Sequence, residues 1–211
     1  MAEISLLLWD VGGVLLSDGW DRVSRQRAAE RFDLDLAELE RRHARVVRSF
    51  ESGRMTLEEY LDAVVFTEPR LFSREDFVTF LHGESRPHPE ALALARALRA
   101  GNRYVLATLN NESRELNRYR VETFGLKGIF HAFFSSGETG RLKPDPGAYQ
   151  LALHLTQRDP EESLLLDDRE ENLQAAERLG LQTLRVEDPR RLAEDLAHLG
   201  IRAGGGGEPW N

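Results

Sequence analysis

The chain has 211 residues, 41% hydrophobic and 30% charged, a balance that predicts a globular protein with a sizeable buried core. Its formal net charge of -8 argues against a nucleic-acid partner, and its apolar runs are too short to span a membrane. Zero cysteines exclude disulfides, thiolate metal sites and a cysteine nucleophile; with no signal-peptide layout in Met1-Ala2-Glu3, a cytoplasmic protein is expected.

The first element is a strand. The apolar run from Ile4 to Trp9 ends on Asp10 and opens at once into Val11-Gly12-Gly13-Val14-Leu15. A strand that closes on a carboxylate and a glycine turn delivers that carboxylate to the C-terminal edge of a sheet, where open α/β folds bind ligands. From Arg22 to about Leu81 the pattern becomes helical and heavily charged. Helices are expected over 22–32 and 35–50, from a capping box at Thr56 with Glu59, and from Ser73 onward. Pro87 and Pro89 mark the exit from this block, which contains no strand signal.

The remainder alternates. Helices are expected over 89–99, 113–124, 146–156, 172–179 and 189–199, and strands over 103–109, 132–135, 163–166 and 181–186. Strands alternating with helices imply right-handed crossovers and a parallel sheet covered on both faces. The fold class is therefore α/β: a Rossmann-like parallel core over 1–16 and 87–203, with a small all-helical domain over 17–86 inserted after the first strand. Residues 204–211 are glycine-rich and expected to form a flexible tail.

Four features converge on one sheet edge. The first strand delivers Asp10; the second ends at Asn110-Asn111; the loop Lys143-Pro144-Asp145-Pro146 offers a cation before a helix; and the fourth strand ends in Asp167-Asp168. Carboxylates gathered at one edge repel one another and persist only with positive charge between them. A hard, oxygen-seeking cation such as Mg²⁺ fits, and Lys143 supplies a second fixed charge.

These motifs resemble those of the haloacid dehalogenase superfamily of hydrolases. The likeness is carried by Asp10-Val11-Gly12-Gly13-Val14, Thr108-Leu109-Asn110-Asn111, Lys143-Pro144-Asp145-Pro146 and Asp167-Asp168-Arg169-Glu170-Glu171-Asn172, in matching order and spacing. It implies that 17–86 is the small helical cap. It further implies a Mg²⁺-dependent hydrolase of small phosphate monoesters, with Asp10 as nucleophile through an aspartyl-phosphate. The implied metal ligands are Asp10, the Gly12 carbonyl and Asp168, with Asp167 close by. Asn110 would donate to a phosphoryl oxygen and Lys143 would neutralise the same group; Asn111, Gly13 and Trp20 complete the expected substrate contacts.

One position departs from the pattern. The residue two after the nucleophile is usually a second aspartate that serves as general acid and base; here it is Gly12. Such help is worth typically about 10²–10⁴-fold in rate. Asp18, His43 or a water are the candidate substitutes. The gap leaves open a phosphate-binding protein with little or no turnover, or a metal-independent 2-haloacid dehalogenase using Arg22 or Arg25 as halide acceptor. The six histidines show no metal-ligand spacing and are expected to be structural or solvated. Asn172 is expected to buttress the site from a helix start.

Overall fold

In the computed structural model, which describes residues 3–204, five strands form one all-parallel sheet. They are β1 (Leu6–Trp9), β2 (Val105–Asn110), β3 (Ala132–Ser135), β4 (Ser163–Asp167) and β5 (Gln182–Arg185), in the order β3-β2-β1-β4-β5. Met1, Ala2 and residues 205–211 of the expected tail lie outside the described residues. The first strand is central, paired with β2 through Leu7↔Leu106 and with β4 through Leu7↔Leu164. The chain runs outward from β1 on one side and returns on the other. This reversal is the switch point at which parallel sheets open a crevice beyond their C-terminal ends.

Side-chain alternation along β1 divides the core. Leu7 and Trp9 face one side and Leu6 and Leu8 the other, all fully buried. Four helices between β1 and β2 lie apart from the sheet: α1 (Arg22–Phe32), α2 (Leu36–Glu51), α3 (Leu57–Val64) and α4 (Arg74–Gly83). Then follow α5 (Pro89–Gly101), α6 (Arg114–Thr123), α7 (Ser136–Thr139), α8 (Pro146–Thr156), α9 (Glu170–Glu177) and α10 (Leu192–His198). Helices α5 and α10 cover the Leu7/Trp9 face, and α8 and α9 cover the Leu6/Leu8 face.

The expected elements are present, with shifts at their ends. The first strand begins at Leu6 rather than Ile4, and the last expected helix divides into a tight turn (Pro189–Arg191) followed by α10. Asn172 is the third residue of α9 rather than its start, and the short α7 had no periodic signal to announce it. The expected capping box at Thr56/Glu59 forms, and a second one, Ser73/Asp76, starts α4.

Helices α1–α4 enclose their own apolar cluster, which includes Phe50, Tyr60, Leu61, Val65 and Phe77. Two segments join this bundle to the sheet, and they pair antiparallel at Leu16 and Pro87. Ser17 N donates to Arg86 O (2.8 Å), His88 N to Leu15 O (2.9 Å), and the Ser17 hydroxyl to Glu84 O (2.6 Å).

Arg120 of α6 locks both segments. Its guanidinium donates to Ser85 Oγ (3.0 Å), Ser17 O (3.3 Å) and Asp18 O (2.5 Å), and pairs with Glu112 Oε2 (2.8 Å). Gly19 has φ +81° and lies so close that a Cβ there would collide with this guanidinium. The bundle also rests on the sheet domain at its far end. Ser136 Oγ donates to Glu51 O (2.6 Å), and the space a Gly53 side chain would need is filled by the Gly137 carbonyl.

The central strand sets the cost of core changes. Leu8→Ala opens a void between Ala107 and Leu165, its register partners. It is expected to destabilise the fold by about 2–5 kcal/mol, read as a lowered urea midpoint with an unchanged m-value.

Candidate active site

At the C-terminal edge of the sheet, Asp10 directly follows β1, and β4 ends on Asp167, with Asp168 one residue further. Carboxylate oxygens of these three residues lie within 4.8 Å of one another. Lys143, in the loop before α8, sits between two of them: its Nζ is 2.5 Å from Asp167 Oδ2 and 3.0 Å from Asp10 Oδ2. The ammonium is almost completely buried. Burial works against its charge, but Asp10 and Asp167 outweigh that and raise its pKa above the ordinary lysine value.

The three carboxylates are not equivalent. Asp167 is saturated: Lys143 Nζ and Asn172 Nδ2 (3.1 Å) donate to Oδ2, while Arg169 N (2.9 Å) and Asn172 Nδ2 (3.0 Å) donate to Oδ1. It therefore orients Lys143 rather than offering free lone pairs, and Asn172 buttresses it from α9. Asp10 accepts from Val11 N (2.7 Å) through Oδ1 and from Lys143 through Oδ2. Burial pushes Asp10 up to about 7 against the pull of Lys143, and the charges of Asp167 and Asp168 push the same way. Asp168 is raised too, by burial and by Asp18 and Asp167. Among the described residues, Asp168 Oδ1 is buried and finds no hydrogen-bond partner.

A divalent cation fits this set. Three carboxylates against one ammonium leave an excess of two negative charges, and Asp168 presents a buried oxygen with its lone pairs unclaimed. Gly13 makes the arrangement possible. It has φ +70°, and a Cβ there would stand 2.7 Å from the Asp168 carboxylate. The absent side chain is room for Asp168.

The two asparagines are held differently. Asn110 Nδ2 lies 3.3 Å from Asn117 Oδ1, a bond that uses one of its two amide hydrogens. Asn111 lines the cavity instead. Its side chain clamps both backbone polar groups of one loop residue, accepting from Lys143 N and donating to Lys143 O, each at 2.8 Å. This clamp was not readable from sequence, because it joins positions 32 residues apart across two loops.

The cavity above Asp10 is roofed by α2 and by Trp20 and Asp21, which lead into α1. Gly12, Asp18, Trp20, His43, Glu51 and Arg169 all line it. Trp20 stands where it was expected, and its Nε1 donates to Tyr60 OH (2.7 Å). His43 both bonds within the helical bundle and lines the cavity. Its Nδ1 is 2.7 Å from Tyr60 OH, whose lone pair already receives the Trp20 proton. The Tyr60 hydroxyl, already accepting from Trp20, has its own proton to give to Nδ1, in the tautomer that carries the imidazole proton on Nε2. Burial, with Arg25 nearby, depresses the His43 pKa to about 4. His43 is a neutral hydrogen-bond donor, not an acid.

Asp18 faces the same cavity, and burial raises its carboxyl above the usual range although Arg169 opposes the shift. Neither candidate halide acceptor reaches the cavity. Arg22 is exposed, and Arg25 is tied to Glu40 Oε1 (2.8 Å) and Trp20 O (2.6 Å). The buried Arg120–Glu112 pair is not among the site residues expected from the sequence, where 113–124 reads only as a helix. The available signal was spacing: Leu116, Asn117, Arg120 and Val121 share the buried side of α6.

Comparison with known proteins places this geometry. A family model described as haloacid dehalogenase-like hydrolase matches residues 4–180. Phosphoserine phosphatase of Thermus thermophilus is 33% identical over 119 residues, 56% of this chain and 47% of that protein. Phosphoglycolate phosphatase of Aquifex aeolicus is 26% identical over 99 residues, 47% of this chain and 46% of that protein. The chain thus spans about half the length of these curated relatives. A haloacid dehalogenase family enzyme from Bacteroides thetaiotaomicron, solved in complex with magnesium and inorganic phosphate, shares the fold. It has a TM-score of 0.74 at 22% identity, over 90% of this chain and 98% of that one. Among the described residues no helix is long and apolar enough to cross a membrane. The chain belongs to the haloacid dehalogenase-like hydrolase family.

Proposed function

We propose that this chain is a cytoplasmic, Mg²⁺-dependent hydrolase of small phosphate monoesters, with residues 17–86 as a cap over the active site. The observation that carries the reading is the division of labour among the carboxylates. Lys143 bridges Asp10 and Asp167, while Asp168 keeps a buried oxygen without a partner among the described residues. In a purely structural ion-pair cluster that oxygen would be satisfied.

The roles follow from the geometry. Asp10 Oδ1 and Oδ2 are held by Val11 N and Lys143 Nζ, so the carboxylate has one fixed orientation at the mouth of the cavity. That suits an in-line attack on phosphorus, forming an aspartyl-phosphate that water then hydrolyses. Lys143 neutralises Asp10 and, once phosphoryl oxygens arrive, shares its charge with them. Asn111 holds the Lys143 backbone in place, and Asn172 and Arg169 N hold Asp167. Asp10, the Gly12 carbonyl and Asp168 would hold Mg²⁺, with Asp167 aligning the lysine beside it. When bound, the ion shields the nucleophile from the anionic substrate and stabilises charge on the transferring group. Trp20 and the His43 Nε2–H would contact the alcohol portion of the substrate from the cap side. The relatives named for phosphoserine and phosphoglycolate support a small phosphorylated metabolite as substrate.

A second reading, phosphate binding without turnover, takes its support from Gly12, which has no side chain for acid–base work. Assay with an aryl phosphate and Mg²⁺ separates the two. Turnover is expected, and Asp10→Asn is expected to abolish both turnover and the phosphoenzyme. Failure of the wild type on a broad phosphate panel would sink the phosphatase reading. Halide release from a 2-haloacid in the presence of a chelator would point instead to the dehalogenase.

The metal reading makes a pH prediction. Without metal the Asp10 pKa lies at about 7, raised above the unfolded value. A metal must displace that proton, so binding competes with protonation below pH 7 and not above it. Calorimetric titration with Mg²⁺ is expected to show proton release below pH 7. The apparent affinity should fall about tenfold for each further pH unit of acidification. An affinity independent of pH between 5.5 and 8, taken here as an approximate window around that value, would remove Asp10 from the ligand set.

A further inference from the structure

We propose that Asp18 replaces the missing aspartate at position 12, serving as general acid in the first half-reaction and general base in the second. The inference rests on the phosphatase reading above and names the group which that reading lacks.

The geometric ground is a shared space. A side chain built on Gly12 would begin 3.2 Å from Asp18 Oδ1 and 3.4 Å from Asp18 Cα. The Asp18 carboxylate thus occupies the place into which a residue-12 side chain would project. It reaches that place from six residues further along the chain. Gly12 is what admits it, because a Cβ at position 12 would crowd the incoming carboxylate. Both residues line the cavity that holds Asp10.

Its placement is fixed by the backbone rather than by chance rotamers. Arg120 grips the carbonyls of Ser17 and Asp18, and Gly19 turns the chain away at φ +81°. Upstream, Gly12 and Leu16 bridge, so residues 12–16 form a closed turn that brings the chain back toward Gly12 just before Asp18. Among the described residues, the Asp18 side chain makes no hydrogen bond like those of its acidic neighbours. Asp21 spends Oδ1 capping α1 at Ser24 N (2.8 Å), and Glu112 is paired with Arg120. His43 is neutral, with Nδ1 engaged by Tyr60. Glu51 is the remaining acid facing the cavity, and it comes from the roof rather than from beside Gly12.

The chemistry balances. As an Asp10 oxygen bonds to phosphorus, the bond from phosphorus to the alcohol oxygen breaks. The Asp18 carboxyl gives its proton to that departing oxygen and becomes a carboxylate. In the second step it takes a proton from water as the water oxygen bonds to phosphorus. The phosphorus–Asp10 bond then breaks, restoring the Asp10 carboxylate and the protonated Asp18.

The test compares leaving groups. Asp18→Asn keeps shape and removes the transferable proton. With an alkyl phosphate its kcat is expected to fall about 10²–10⁴-fold. With p-nitrophenyl phosphate, whose leaving group needs no proton, a burst of nitrophenol should precede a slow steady state. A hydroxylamine-sensitive phosphoprotein should then accumulate, a signature that loss of structure alone does not produce. The swap Gly12→Asp with Asp18→Ala is expected to recover alkyl phosphate turnover. Melting curves on each variant separate folding failure from chemical failure, and the swap is a second, independent arm should Asp18→Asn unfold. Equal losses on both substrates, no loss on either, or transfer of the burst signature to Glu51→Gln would overturn the proposal while leaving the phosphatase reading intact. No turnover of either substrate by the wild type would overturn both.

Discussion

The site depends on one buried ammonium. Asp10, Asp167 and Asp168 approach within 4.8 Å, and like charges about 4 Å apart repel by about 4 kcal/mol at an effective dielectric of 20. Lys143, between Asp10 and Asp167, is what allows strands β1 and β4 to deliver carboxylates side by side. The neighbouring contacts serve this pairing: Asn111 clamps the lysine backbone, and Asn172 and Arg169 N fill the outer lone pairs of Asp167. The cluster still carries excess negative charge, and that residual imbalance makes it a place for a cation and a phosphoryl group rather than a closed ion pair.

A second buried cation organises the connection between sheet and helical bundle. Arg120 receives Glu112 on one side and spends its other donors on Ser17, Asp18 and Ser85. Breaking this set would leave an uncompensated charge out of water, so the two linking segments are held as one unit. The consequence reaches the chemistry. The position of Asp18 beside Gly12 is decided by an arginine on α6, about a hundred residues away in sequence. A helix that looks peripheral thereby places the acid proposed for the reaction.

Much of the fold was legible in the chain because it rests on local rules. Alternation and β-rich runs announced β1, β2 and β4, and Ala132–Ser135 and Pro146–Thr156 were bounded by the residues that bound them in space. The capping box at Thr56 was readable because both partners lie within one turn. Asp10, Lys143, Asp167 and Asp168 were legible as a group because strand ends in a parallel sheet share an edge. Less legible were contacts that depend on which way a side chain turns. Asn110 points to Asn117, Asn111 reaches the lysine loop, and His43 enters the cavity from a helix whose arginines suggested only solvent.

Position 12 shows the boundary most sharply. The sequence by itself determined that a glycine stands where an acid is usual, that the parallel core carries Asp10 to the ligand edge, and that the chain is acidic and free of cysteine. Those properties follow from residue identity and from period along the chain. Only the tertiary structure decided what fills the space above Gly12, which carboxylate keeps a free oxygen, and which histidine is neutral. Each of these depends on burial and on partners distant in sequence. Desolvation and through-space hydrogen bonds belong to the folded arrangement, and no local pattern encodes them.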